Sequence, residues 1–186
     1  EILRCLVGSE MCIRDSSMEE WQPTFTYHGF RFVELTGFRE KPSLSDFEGQ
    51  VIYDEMETTG NLETSDPMIN RIYKNAYWGI RGNYRGMPTD CPQRDERMGW
   101  LGDRAVGSQG ESYIFNNHLL YAKWLDDIEQ AQKENGAVPD VAPNYWDVCT
   151  DNMTWPGAYL IIANMLYDQF GDKQPIIKHY PSMKKW

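Results

Sequence analysis

At 186 residues the chain is long enough for one domain or for pieces of two, and its 41% hydrophobic and 25% charged residues suit a folded globular protein rather than a disordered, collagenous or membrane-embedded one. The net charge of −10, from 28 acidic and 18 basic residues, repels a phosphate backbone; no basic stripe offsets it, since the four lysines between Lys173 and Lys185 are spread along an amphipathic segment. No apolar run approaches the ~20 residues that span a bilayer, and Cys5, Cys12, Cys91 and Cys149 form neither a CxxC pair nor the dense spacing of a disulfide scaffold. Nucleic-acid binding and membrane spanning are therefore not expected.

The first sixteen residues do not begin with Met and break their one short apolar run, Leu3 to Val7, with Arg4 and Cys5, so they do not read as a signal peptide. They also fit no element that follows, and residues 1–17 are expected to be a leader foreign to the fold. From Thr24 to Val33 bulky apolar residues alternate with polar ones (Phe25, Tyr27, then Phe30, Phe32), the period of a half-buried strand that VELTGF extends to Gly37; Gly29 marks a bulge or a close backbone approach. Gly49 to Met56 is a second strand candidate. Two strands do not make an independent sheet, so residues 18–60 read as the tail of a larger β domain and its linker.

At Ser65-Asp66-Pro67 the pattern becomes helical: Asp66 suits the N-cap, Pro67 the first turn, and Ile69, Ile72, Tyr73, Ala76 and Ile80 share one face. A Gly-, Pro- and charge-rich stretch from Gly82 to Gly102 reads as a long loop, and loops beyond about 12–15 residues in a compact domain are usually functional or disordered. Helices are then expected at roughly 103–116, 118–134 (with Leu120, Trp124, Ile128 and Ala131 inward and Gly136 past the end), 154–170 stopped by Gly171, and 172–186. The fold class is thus mainly α with a short N-terminal β segment, and the raw edges on both sides read as a window cut from a longer polypeptide.

The loop contains Pro88 to Asp103, PTDCPQRDERMGWLGD, with the carboxylates Asp90, Asp95, Glu96 and Asp103, the cations Arg94 and Arg97, and Trp100. Glycoside cleavage needs an acid to protonate the leaving oxygen and polar groups to grip the sugar hydroxyls, and neighbouring carboxylates raise one another's pKa so that one can stay protonated. The same composition also suits an exposed loop laced with surface ion pairs worth ~0–1 kcal/mol each. His28, His118 and His179 lack metal-ligand spacing, no GxSxG or phosphate loop is present, and neither a metal nor a cofactor is expected. Glu111 reads as a residue of a solvated helix face, and Asp140 in VPDVAP either lines a pocket or bonds its own turn.

The run PTDCPQRDERMGWLGD resembles the signature segment of the bacterial and fungal α-L-rhamnosidases, as do FTYHGFRFVE, TGNLETSDPMINRI, DDIEQAQKENGAVPDVAP and YDQFGD in consistent order from about Trp21 to Trp186. The resemblance implies an (α/α)6 barrel preceded by a β-sandwich, with residues 61–186 the first, incomplete part of the barrel. It implies hydrolysis of terminal α-L-rhamnose with inversion, Glu96 as general acid, Asp90, Arg94 and Asp103 on the sugar hydroxyls, and Trp100 as an aromatic wall of the pocket. Trp155 in MTWPGAY matches a second pocket aromatic, although Gly157 stands where the family pattern has an Asp. The general base is expected beyond residue 186, so the isolated chain is expected to be inactive, and an incomplete barrel that leaves helix faces and sheet edges exposed is expected to be marginally stable. A rhamnose-containing glycoside is the implied partner. A non-catalytic carbohydrate-binding module and another (α/α)6 glycosidase are the alternative readings.

Overall fold

The computed structural model describes residues 2–5, 21–38, 40–150 and 152–186, which divide into two compact units. The first groups the chain up to Ile52 with Pro92–Asp95; the second holds Tyr53–Cys91 and Glu96–Trp186.

In the first unit β1 (Ile2–Cys5) pairs in parallel with β2 (Phe32–Leu35), Ile2 opposite Phe32 and Cys5 opposite Leu35. The leader expected at 1–17 therefore contains a paired strand at Ile2–Cys5; the rest of it, residue 1 and residues 6–17, lies outside the described residues. The strand expected from Thr24 is shorter, beginning at Phe32. Gly29 does make the close approach its type suggested: its N–H donates to Pro92 O at 3.1 Å, and a Cβ there would lie 3.2 Å from Gln93 Cα. Gly49–Met56 is not a strand. Alternation specifies which side chains share a face but not where the backbone bonds go, and Asp54 N–H, in the second unit, is used by Tyr84 O at 3.2 Å.

The second unit begins with a short antiparallel contact in which Thr59 and Gly60 N–H both reach Ile114 O and Asn116 N–H reaches Glu57 O. Helix α1 (Pro67–Gly82) starts where its cap was read, with Asp66 Oδ1 accepting Met68 N–H at 2.7 Å and Pro67 needing no bond of its own. Its apolar stripe is not core: Ile69 and Ile72 are exposed, and no residue of α1 is fully buried.

The core lies between the four later helices, α2 (Leu101–Ser112), α3 (His118–Ala131), α4 (Ala158–Phe170) and α5 (Gln174–Lys185), with α4 against α2, α3 and α5, and α5 also against α3. Leu101, Tyr121, Trp124, Leu125, Ile128, Tyr159, Ile162 and Leu166 are inaccessible to solvent, and each Leu or Ile buried this way contributes ~1.5–3 kcal/mol. The inward face of α3 is Tyr121, Trp124, Leu125 and Ile128, so the expected Leu120 gives way to Tyr121. Helix α4 starts at Ala158 rather than 154, and ends as expected at Gly171, whose φ of +67° and N–H bond to Tyr167 O at 2.9 Å form a left-handed cap. This is the helical-hairpin architecture of an (α/α)6-barrel segment.

Candidate active site

The long loop between α1 and α2 is folded by its own bonds. Thr89 N–H reaches Asn83 O at 2.8 Å and Asp90 N–H reaches Met98 O at 3.0 Å, so the chain leaves at Asp90 and returns at Met98. The return strand is then pinned to the loop between α3 and α4: Trp100 bridges Val141, Ala142 N–H donates to Gly99 O at 2.9 Å, and Trp124 Nε1–H donates to Ala142 O at 2.7 Å from the core.

On this frame Glu96 is half-buried and its Oε1 accepts the indole N–H of Trp100. Half-buried Asp90 accepts the Cys91 thiol at 2.9 Å. Asp103 lies exposed in the first turn of α2, where the helix dipole favours a carboxylate, and its Oδ2 accepts Trp155 Nε1–H at 2.9 Å. The Trp155 ring rests on Gly102, where a Cβ would fall 2.7 Å from Cδ2, so only glycine permits this contact. Four of the expected site residues thus meet in two pairs, Glu96 with Trp100 and Asp103 with Trp155. Arg94 is exposed in Pro92–Asp95, which belongs to the first unit.

Glu111 departs from its expected place on a solvated face. It is 5% exposed, pairs with Arg104 at 2.6 Å, and accepts the hydroxyls of Tyr84 at 2.5 Å and Tyr121 at 2.6 Å. Burial first, and then the Glu111 charge, push both tyrosines well above their ordinary pKa. Burial works to lower the Arg104 pKa, but Glu111 together with Tyr121 and Tyr84 holds it above its usual value. The signal for this cluster was the seven-residue spacing of Arg104 and Glu111, two turns on one helix face. Asp140 is buried and bonds Thr150 and Asn152, 10 and 12 residues further along the loop between α3 and α4, so its partners lie outside the VPDVAP turn that was expected to hold it. Among the histidines, His118 pairs with Asp172 at 2.7 Å and His179 lies between Asp126 and Glu129 at 3.0 Å from each. Among the described residues no group of His, Cys, Asp and Glu has the geometry of a metal site, and no helix is long and apolar enough to cross a membrane.

Helical hairpins that carry carboxylates and tryptophans on the loops at one set of helix ends define the class: a six-hairpin glycosidase scaffold. The model of the bacterial alpha-L-rhamnosidase six-hairpin glycosidase domain matches residues 57–186, and that of the bacterial alpha-L-rhamnosidase concanavalin-like domain matches residues 9–53. The chain belongs to the bacterial α-L-rhamnosidase family. It is 38% identical to an alpha-L-rhamnosidase of Streptomyces avermitilis over 94% of this chain and 17% of that protein, and 37% identical to one of Formosa agariphila over 90% and 18%. Among solved structures it is similar to the alpha-L-rhamnosidase from Dictyoglumus thermophilum (TM-score 0.86, 45% identity, 90% of this chain and 19% of that one). The Streptomyces avermitilis enzyme complexed with L-rhamnose gives a TM-score of 0.87 at 38% identity, over 92% of this chain and 17% of that one. The chain spans less than a fifth of the length of the curated relatives it matches.

Proposed function

We propose that this chain supplies the acid side of an active site that hydrolyses terminal α-L-rhamnose from rhamnosides with inversion of configuration. Glu96 is the general acid, Asp90, Arg94 and Asp103 grip the sugar hydroxyls, and Trp100 and Trp155 offer apolar walls to the C6 methyl group. In domain terms, residues 18–60 close a β-sandwich domain and 61–186 open the catalytic barrel, a division that the two separate family matches support.

The observation that carries the reading is the bond from Trp100 Nε1–H to Glu96 Oε1. An indole N–H only donates, so it makes Oε1 an acceptor and orients the carboxyl group of the residue read as the acid. Single displacement also requires a second carboxylate ~6.5–9.5 Å from the acid to activate water. No residue of this chain is assigned to that role, and the chain alone is expected not to turn over rhamnosides.

The test is Glu96→Gln in the complete enzyme. Turnover of rhamnosides with poor leaving groups should fall by about 10²–10⁴-fold, the usual worth of general acid catalysis. Affinity should be retained, and substrates whose leaving groups need no protonation should lose far less. Turnover unchanged on poor leaving groups would remove Glu96 as the acid.

A further inference from the structure

Asp140 sits in the loop between α3 and α4 at 2% exposure, and its side-chain bonds run forward along the chain. Oδ2 accepts Thr150 N–H at 2.8 Å, while Oδ1 accepts the Thr150 hydroxyl at 3.1 Å and the Asn152 amide N–H at 2.5 Å. Every partner is a donor, which matches the acceptor-only chemistry of a carboxylate. Asn152 then passes the constraint on, its Oδ1 accepting the N–H groups of Thr154 at 2.7 Å and Trp155 at 2.9 Å. The orientation of the Asn152 amide is thereby fixed from both sides, donor toward Asp140 and acceptor toward Trp155.

The chain of bonds closes on itself. Trp155 Nε1–H donates to Asp103 Oδ2 at 2.9 Å, Asp103 stands on α2, and the first residue of α2, Leu101, gives its N–H to Asp140 O at 2.9 Å. Asp140 therefore holds the start of α2 with its backbone and the Trp155 segment with its side chain. The two elements meet at the Trp155–Asp103 bond.

We propose that Asp140 is a positioning residue for sugar recognition: acting through Asn152, it sets the place of the Trp155 ring and of the Asp103 carboxylate that the ring N–H engages. This rests on the reading above that Trp155 and Asp103 contact rhamnose. Asp140 itself touches no substrate. Its effect is on binding, because the elements it ties together are the two that grip the sugar.

The polarity of the Asp140–Asn152 contact supplies the test. Asp140→Asn presents an amide N–H₂ to donors, and Asn152→Asp sets two carboxylates against each other, each with little change of shape. The double exchange Asp140→Asn/Asn152→Asp restores one donor and one acceptor across the contact and leaves an oxygen for Trp155 N–H. Each variant is followed in the chain by the Trp155 indole ¹H–¹⁵N resonance, with thermal unfolding as the check on folding, and in the complete enzyme by titration with L-rhamnose. Each single exchange should move the Trp155 resonance and weaken rhamnose binding about tenfold, at the low end of what losing an orienting partner costs. The double exchange should recover both to within about twofold. A Trp155 resonance unmoved by the single exchanges, or unrecovered in a folded double variant, overturns the proposal. Asp103→Ala in the complete enzyme separates the two readings: if that variant binds L-rhamnose as tightly as the unaltered enzyme, the sugar-site assignment fails. The Trp155 resonance still decides whether Asp140 positions that ring.

Discussion

Replacing Glu111 by alanine probes the buried cluster behind the site. Glu111 and Arg104 form a 2.6 Å pair with side chains 6% and 11% exposed, and the hydroxyls of Tyr84 and Tyr121 both donate to the same Glu111 oxygen. Removing one partner of a buried pair costs ~3–5 kcal/mol because the other charge is left without compensation. Each tyrosine hydroxyl losing its acceptor adds ~1–3 kcal/mol at most. These groups touch one another, so the losses do not add, and ~4 kcal/mol is the expected total. At an m-value near 2 kcal/mol/M, the urea midpoint of the chain followed by circular dichroism should fall by about 2 M. The pH dependence follows with a definite sign. Burial and Glu111 raise both tyrosine pKa values, so the neutral phenols stabilise the fold fully below the ordinary value of 10 and that stability is lost as pH rises above it. The alkaline decline should be shallower in Glu111→Ala, which lacks the charge that opposes ionisation. A destabilisation under about 1 kcal/mol at neutral pH would refute the cluster's role, since even one unsatisfied buried hydroxyl costs that much.

At the other extreme of pH, the bond from His118, and then the Gln174 N–H, hold the Asp172 carboxyl below its ordinary value. Its contribution is present above the ordinary carboxylate range and lost as pH falls through the lowered one, so melting temperature below about pH 4 should drop more steeply in the unaltered chain than in Asp172→Ala. Parallel curves would show that this pair does not bear on stability. Gly102→Ala places a methyl group 2.7 Å from the Trp155 ring, and the displaced ring should cost ~1–3 kcal/mol and shift the Trp155 indole resonance. A variant with native stability and an unmoved resonance would contradict the close contact.

The features legible in the sequence are those whose partners lie within a turn of themselves. Asp66 caps Met68 two residues on, and Gly171 closes a helix on Tyr167 four residues back, so both boundaries were readable. The start of α2 was not: Trp100 caps it without a side-chain bond, and Leu101 N–H is satisfied by Asp140 instead. On α3 the helical period was legible and its phase was not. Leu120 is the more apolar residue, but Tyr121 can be buried because Glu111 accepts its hydroxyl. Glu111 itself was misplaced for the same reason, as its partners lie 7 residues away on its own helix and 27 and 10 residues away along the chain. The pairing of Trp100 with Glu96 and of Asp103 with Trp155 was legible only as a shared assignment to one pocket. The bonds that make those pairs depend on the α3–α4 loop, whose attachment to Gly99 and Leu101 no local pattern announces.

The carboxylates of this chain sort by what they can still offer a ligand. Glu111 and Asp140, at 5% and 2% exposure, are each surrounded by donors from the protein, and a group so engaged has no access to a sugar. Asp103 is exposed, with Glu96 and Asp90 half-buried, which is the accessibility that hydroxyl recognition and proton transfer require. Residue type and spacing set Glu111 on a solvated face and left Asp140 between a pocket and its own turn. Burial separates the carboxylates because the acids that hold the frame must face inward, while the acids proposed to meet a substrate must be held from behind. Trp100 and Trp155 do that holding: each donates a single indole N–H, orienting a carboxylate without adding a charge that would compete with the substrate.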